Sequence, residues 1–144
     1  LDDPKQNIVK NIAQELDCGF DCYYNSKTNE IIAIPSFSQF LDEEHFKEAF
    51  QTDLQKIKKS PSDFIKFEAL RGFESFKIME LFVGQITDKK LKTELKTILT
   101  SKKPFQNFKH KIDQSNFRQS WFEFKQNVLE QIVERQLDSG IAPR

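Results

Sequence analysis

Residues 102–137 read KKPFQNFKHKIDQSNFRQSWFEFKQNVLEQIVERQL, and the fold turns on how this stretch is read. It holds the only tryptophan and five of the fifteen phenylalanines. Phe105, Phe108 and Ile112 step by three and four, the spacing of one helix face. A polar break over 113–116 follows. Beyond it Phe117, Trp121, Phe124, Val128, Ile132 and either Val133 or Leu137 run down one side of a long helix. Asn116, with Gln119 three residues on, predicts a capping box at its start. Two aromatic helices placed this way close a core, with Trp121 and Phe108 inside it. Phe122 falls off the stripe and either packs on another element or is exposed.

Working back from there, the helical character continues. Thr87-Asp88 opens a helix faced by Leu91, Leu95, Ile98 and Leu99. Before it, Gly72 introduces a helix over 73–86 whose apolar residues cover most of the circumference and leave a narrow seam of Glu74, Lys77 and Glu80. A helix so apolar is expected at the centre, covered on several sides.

The first half reads differently. Asp3-Pro4 sets an N-cap and a first-turn proline, and Gln6, three on from Asp3, suits a capping box. Ile8, Ile12 and Leu16, with Val9 and Ala13, form an apolar face that Gly19 ends. Residues 20–24 and 30–34 are rich in β-branched and aromatic types. The loop over 25–29 between them predicts a hairpin, closed at its far end by Pro35. Asp42, Glu43 and Glu44 start a second helix along Phe46, Phe50, Leu54 and Ile57, with Leu41 as a staple on Phe46. Ser60-Pro61 stops it. Residues 64–70 alternate, so a third strand with one wet face is expected to join the hairpin. The class is therefore α+β: a small three-stranded antiparallel sheet, surrounding helices and a helical C-terminal half, in a single domain over 1–144.

Composition narrows function mostly by exclusion. With 22 basic and 22 acidic side chains the 144-residue chain is neutral overall, and 31% charged residues suit a solvated globular surface. No apolar run approaches the ~20 residues of a membrane span. No signal peptide is visible, although the sequence opens on Leu1. Two cysteines are too few for a disulfide framework, so a cytoplasmic location is expected.

Four segments carry a resemblance. FESFKIMELF (73–82), KPFQNFK (103–109) and WFEFK (121–125), with DCGFDCY (17–23) followed by NSKTNE (25–30), occur in the order and spacing of Uncharacterised Protein Family 0158 of bacteria. The chain resembles that family over nearly its whole length. Asn29 stands where the family often has a turn glycine, and Gln106 and Asn107 stand where many relatives carry arginine. The resemblance implies a bacterial cytosolic protein. The family has no established activity, so no catalytic residue carries over.

Charge is distributed unevenly. Lys89, Lys90, Lys92 and Lys96 on one predicted helix, and Lys102, Lys103, Lys109 and Lys111 at the next, face only Asp88 and Glu94 over residues 88–111. Lys102 and Lys103 precede Pro104 at a helix N-terminus, the wrong end of the dipole for a cation by roughly 0.3–1 kcal/mol each. Such a segment either meets a polyanion or keeps the surface wet. Lys102, Lys103, Lys109, Lys111, Arg118 and Lys125 are the anion or nucleic-acid candidates. Phe37, Phe40 and Phe122 are candidates for contact with a protein partner.

Chemistry is scarce by comparison. Cys18 and Cys22 are expected to be small buried apolar residues, because His45 and His110 lie too far apart for a zinc pair of tight spacing. There is no phosphate-cradling loop or nucleophile elbow. Glu74 and Glu80 would need a cleft to act together. The expected function is a non-enzymatic binding or regulatory module with a protein partner. Nucleic acid bound through residues 89–111 is the alternative, and an enzyme the minority reading. No catalytic residue, metal or cofactor is expected, and oligomeric state is left open.

Overall fold

A computed structural model describes residues 3–35 and 42–140. The elements run α1 (Pro4–Asp17), β1 (Phe20–Asn25), β2 (Ile31–Pro35), α2 (Glu43–Lys59), a 3-10 turn at Pro61–Asp63, β3 (Phe64–Phe67), α3 (Gly72–Gln85), α4 (Lys89–Leu99), α5 (Pro104–Asp113) and α6 (Arg118–Ser139). The class is α+β. The chain forms two compact units: one takes the residues up to Leu70 together with those from Leu129 onward, the other is Arg71–Val128.

In the first unit the sheet order is β2-β1-β3, both pairings antiparallel. Register puts Tyr24 opposite Ile31 and Ile65, and Cys22 opposite Ala33 and Phe67. That face meets the apolar stripe of α1. Val9, Ile12 and Ala13 are fully buried there with Phe67, Leu129 and Val133. Each of these side chains larger than alanine stabilises by about 1.5–3 kcal/mol relative to exposure. The stripe exists because an N-cap and a proline start α1 in the right phase: Asp3 Oδ1 accepts the Lys5 N–H at 3.0 Å. Gly19 ends it with φ of 88°, a conformation that costs glycine nothing.

The hairpin loop is held from within. Asn25 Oδ1 accepts the Lys27 and Thr28 N–H groups at 2.9 and 3.2 Å. Asn29 takes φ of 65° and accepts the Tyr24 hydroxyl at 2.7 Å. Asparagine thus does the work of the turn glycine.

Several expectations needed correction. Residues 68–70 are not strand: β3 stops at Phe67, and the Asp21 carboxylate takes the Ala69 N–H at 2.9 Å instead of a ladder partner. On β2, Ile32 and Ile34 are buried on the side opposite Ala33. Asp42 caps α2 as read, accepting the His45 N–H at 2.8 Å. Yet none of the helix's residues is fully buried, and Phe50 carries non-helical angles at a kink. Lys56 ties α2 to the start of β2 through Glu30 at 2.7 Å. The proposed Leu41 staple lies outside the described residues.

The second unit is helical, and its centre is aromatic. Phe82 of α3 meets Trp121 and Phe124 of α6 at ring-centroid distances of 5.3 and 5.4 Å. Phe108 of α5 meets Trp121 at 4.9 Å. Phe108 and Ile112 are buried, Trp121 nearly so, and Leu91 and Leu95 seat α4. The helix over Gly72–Gln85 is not covered all round as its composition suggested. It buries Ile78, Met79, Phe82 and Val83, while Phe73 is 70% and Leu81 51% exposed. Apolar content overstated burial because one face alone docks. Phe105 likewise leaves the core at 46% exposure and rests edge-on against Phe76. On α6 the fully buried residues are Leu129 and Val133, and Val128 and Ile132 are half-buried. At the start of α6 Gln119 reaches forward to Glu123 rather than back to form a box. The turn before it is held by Ser115, whose hydroxyl oxygen accepts the Phe117 N–H at 3.1 Å.

Candidate functional site

Charge divides along the same line as the fold. Arg71–Val128 contains twelve Lys and Arg against six Asp and Glu, a net charge of +6; the rest of the chain carries ten against sixteen, or −6. Neutrality of the whole thus conceals a cationic helical unit.

The lysines arise from ordinary helix design in α4 and α5. Leu91 and Leu95 fix the buried side of α4, so Lys89, Lys90 and Lys96 must face solvent. Phe108 and Ile112 do the same in α5 for Lys109, and Lys102 and Lys103 lead into Pro104 at its first turn. No ion pair is formed by Lys89, Lys90, Lys96, Lys102, Lys103 or Lys109 among the described residues. Lys92 differs: its ammonium donates to the Gly84 carbonyl at 3.1 Å, near the C-terminal end of α3.

The other candidates are less available. Lys111 is paired with Glu94 of α4, and Arg118 with Asp113 at 3.3 Å. Lys125 is half-buried, its ammonium 5.9 Å from the Trp121 ring centre. The structure therefore separates the six residues: Lys102, Lys103 and Lys109 form an unpaired cationic group, whereas Lys111, Arg118 and Lys125 are engaged.

Of the partner-contact candidates, Phe37 and Phe40 lie outside the described residues. Phe122 is exposed, with the Arg118 guanidinium 4.6 Å from its ring centre. The exposed large apolar residues among those described are Phe73, Leu81, Phe105 and Phe122, and all belong to the cationic unit. Sequence reasoning missed the first three because each sits at helical spacing beside residues that are buried. The one usable signal was position: Phe73 and Phe105 lie in the first turns of their helices, where a side chain can overhang the end of the packed layer.

Glu74 accepts the Arg71 N–H at 2.9 Å as part of the α3 start, and Glu80 lies on an exposed helix face. A 360 Å³ hollow lies beside Glu94, Lys111 and Asn116, and the Glu94–Lys111 ion pair is part of its wall. Among the described residues no cluster of three or more His, Cys, Asp or Glu side chains could hold a metal ion. Both thiols are free. Cys22 is buried, but Cys18, expected inside, is exposed at the C-cap of α1. No described helix is long and apolar enough to cross a membrane.

The chain belongs to the family described as Uncharacterised protein family (UPF0158), whose model matches residues 5–139. No curated protein and no solved structure matches it.

Proposed function

We propose that this UPF0158 member is a non-enzymatic binding or regulatory module of the bacterial cytoplasm that engages an acidic protein partner through its helical unit. The carrying observation is the group of six exposed lysines without an ion pair, in the same unit as exposed Phe105 and Phe122. Unpaired surface cations raise the encounter rate with an acidic surface. Exposed aromatic rings supply the apolar anchors from which most binding energy comes. Two free thiols and the absence of a disulfide among the described residues suit a reducing compartment.

A second reading, nucleic acid, has one observation in its favour. The Arg118 guanidinium over Phe122 pairs a cation with an open ring, as single-strand binders do for base stacking. A tagged full chain, recovered from its native cell beside a Lys102→Glu/Lys103→Glu/Lys109→Glu variant, separates the two. Recovery of an acidic protein that is lost in the variant and weakened by salt supports the proposal. A raised 260/280 nm absorbance ratio, sensitive to nuclease and lost in the variant, would move the assignment to nucleic acid. Equal recovery with both chains would remove the lysines from either role.

A further inference from the structure

The outward face of α3 carries a pattern that the charged surface of α4 and α5 does not explain. At 3.6 residues per turn, Phe73, Lys77, Glu80, Leu81 and Gly84 fall within an arc of roughly 100°. All five are exposed, and they lie opposite the buried side formed by Ile78, Met79, Phe82 and Val83. A fold gains nothing from leaving Phe73 at 70% and Leu81 at 51% exposure on one stripe.

Gly84 is the second anomaly. It is a poorer helix former than alanine, and nothing among the described residues asks for it. A side-chain carbon there would meet no atom within 4 Å, and its φ is not positive. What the glycine does provide is a notch on the outer surface, at the end of the stripe that Phe73 begins.

We propose that this face binds a second copy of the same chain, α3 against α3, antiparallel about a two-fold axis. The spacing is self-complementary. An antiparallel register that sets Lys77 opposite Glu80 of the second copy also sets Phe73 opposite its Gly84, since both pairs of numbers have the same sum. The two-fold repeats each contact, giving two Lys–Glu pairs and two rings seated over glycine notches. Leu81, one residue beyond Glu80, covers the methylene stem of the opposing Lys77. Isologous contacts require this reciprocity, in which one residue pair serves twice. A single helix face is small for an interface, so the dimer is weak and depends on concentration. The inference is independent of the lysine surface on α4 and α5.

Sedimentation equilibrium of the full chain, from micromolar to near-millimolar concentration, reads the association directly. The wild type goes from monomer to dimer across that range. Lys77→Glu and Glu80→Lys each weaken the dimer about tenfold or more, because each sets like charges together at both symmetric sites. The double variant Lys77→Glu/Glu80→Lys restores it, an outcome that only a self-pairing face produces. Gly84→Ala gives two effects of opposite sign: thermal stability at low concentration rises with helix propensity, while the dimer weakens as the notch fills. A wild type that stays monomeric throughout, or a double variant no better than the singles, would overturn the proposal. Circular dichroism of each variant confirms that a loss of dimer is not a loss of fold.

Discussion

The Trp121 and Phe108 rings meet edge to face at 4.9 Å, with Phe108 shut off from water and Trp121 nearly so. This contact joins α5 to α6 across the break at 113–116. It fixes the angle of the hairpin that carries Lys109 on one arm and Arg118 on the other, so the cationic surface depends on a hidden aromatic pair.

Truncating either partner should therefore be costly. Phe108→Ala and Trp121→Ala are each expected to lower unfolding free energy by about 3–5 kcal/mol. A double-mutant cycle should return a coupling of about 0.5–1.5 kcal/mol for the ring contact itself. Urea titration followed by far-ultraviolet circular dichroism measures all of this. Trp121 emission in the wild type should be blue-shifted and should move to the red on unfolding.

The register of α6 gives a sharper test. Leu129 is fully buried and Ile132 only half-buried, although both look equally apolar in the sequence. Leu129→Ala is expected to cost about 2–5 kcal/mol, and Ile132→Ala less than half as much. Equal losses in the same denaturation experiment would mean that the buried stripe has been placed wrongly.

Asn29 holds the hairpin in two ways, by a left-handed backbone and by accepting the Tyr24 hydroxyl. Asn29→Gly keeps the first and loses the second, a cost of about 0.5–1.5 kcal/mol. Asn29→Val loses the hydrogen bond and adds about 1–2 kcal/mol of backbone strain. The order of melting temperatures should be wild type, then glycine, then valine.

Thiol chemistry should be one-sided. Burial pushes the Cys22 thiol up to about 12, with the charges of Glu15 and Asp21 adding to it, and Sγ lies 3.9 Å from the Ile12 carbonyl oxygen. Cys18 is exposed, so an alkylating reagent at neutral pH should label Cys18 quickly and Cys22 only on unfolding. The sign for stability follows from the raised value. Below the ordinary thiol range, around 8.5, both states keep the proton and nothing changes. As pH rises from there toward about 12, the unfolded thiol ionises while the folded one does not, and stability falls. Cys22→Ala should flatten that alkaline decline in a series of denaturation curves.

The sequence by itself determined the local elements. Asp3-Pro4, Asp42 and Asp88 announced three helix starts, each aspartate accepting an N–H of the first turn. Gly19 and Ser60-Pro61 announced two ends, and the α+β class and antiparallel hairpin followed from helical period, from strands rich in β-branched and aromatic residues, and from the loop between them. These are short-range matters: caps, φ restrictions and alternation act within a few residues of their cause. What tertiary structure decided was which side of each helix meets another element. Phe73, Leu81 and Phe105 carry the same periodic signal as Phe82 and Phe108, yet they face water. Leu129 and Val133 pack with Phe67 and the α1 stripe rather than with the aromatic cluster of the Trp121 end. Helical spacing states that a face exists. Whether it is covered depends on partners distant in the chain, and the sheet order β2-β1-β3, the free lysines and the open face of α3 all follow from that docking.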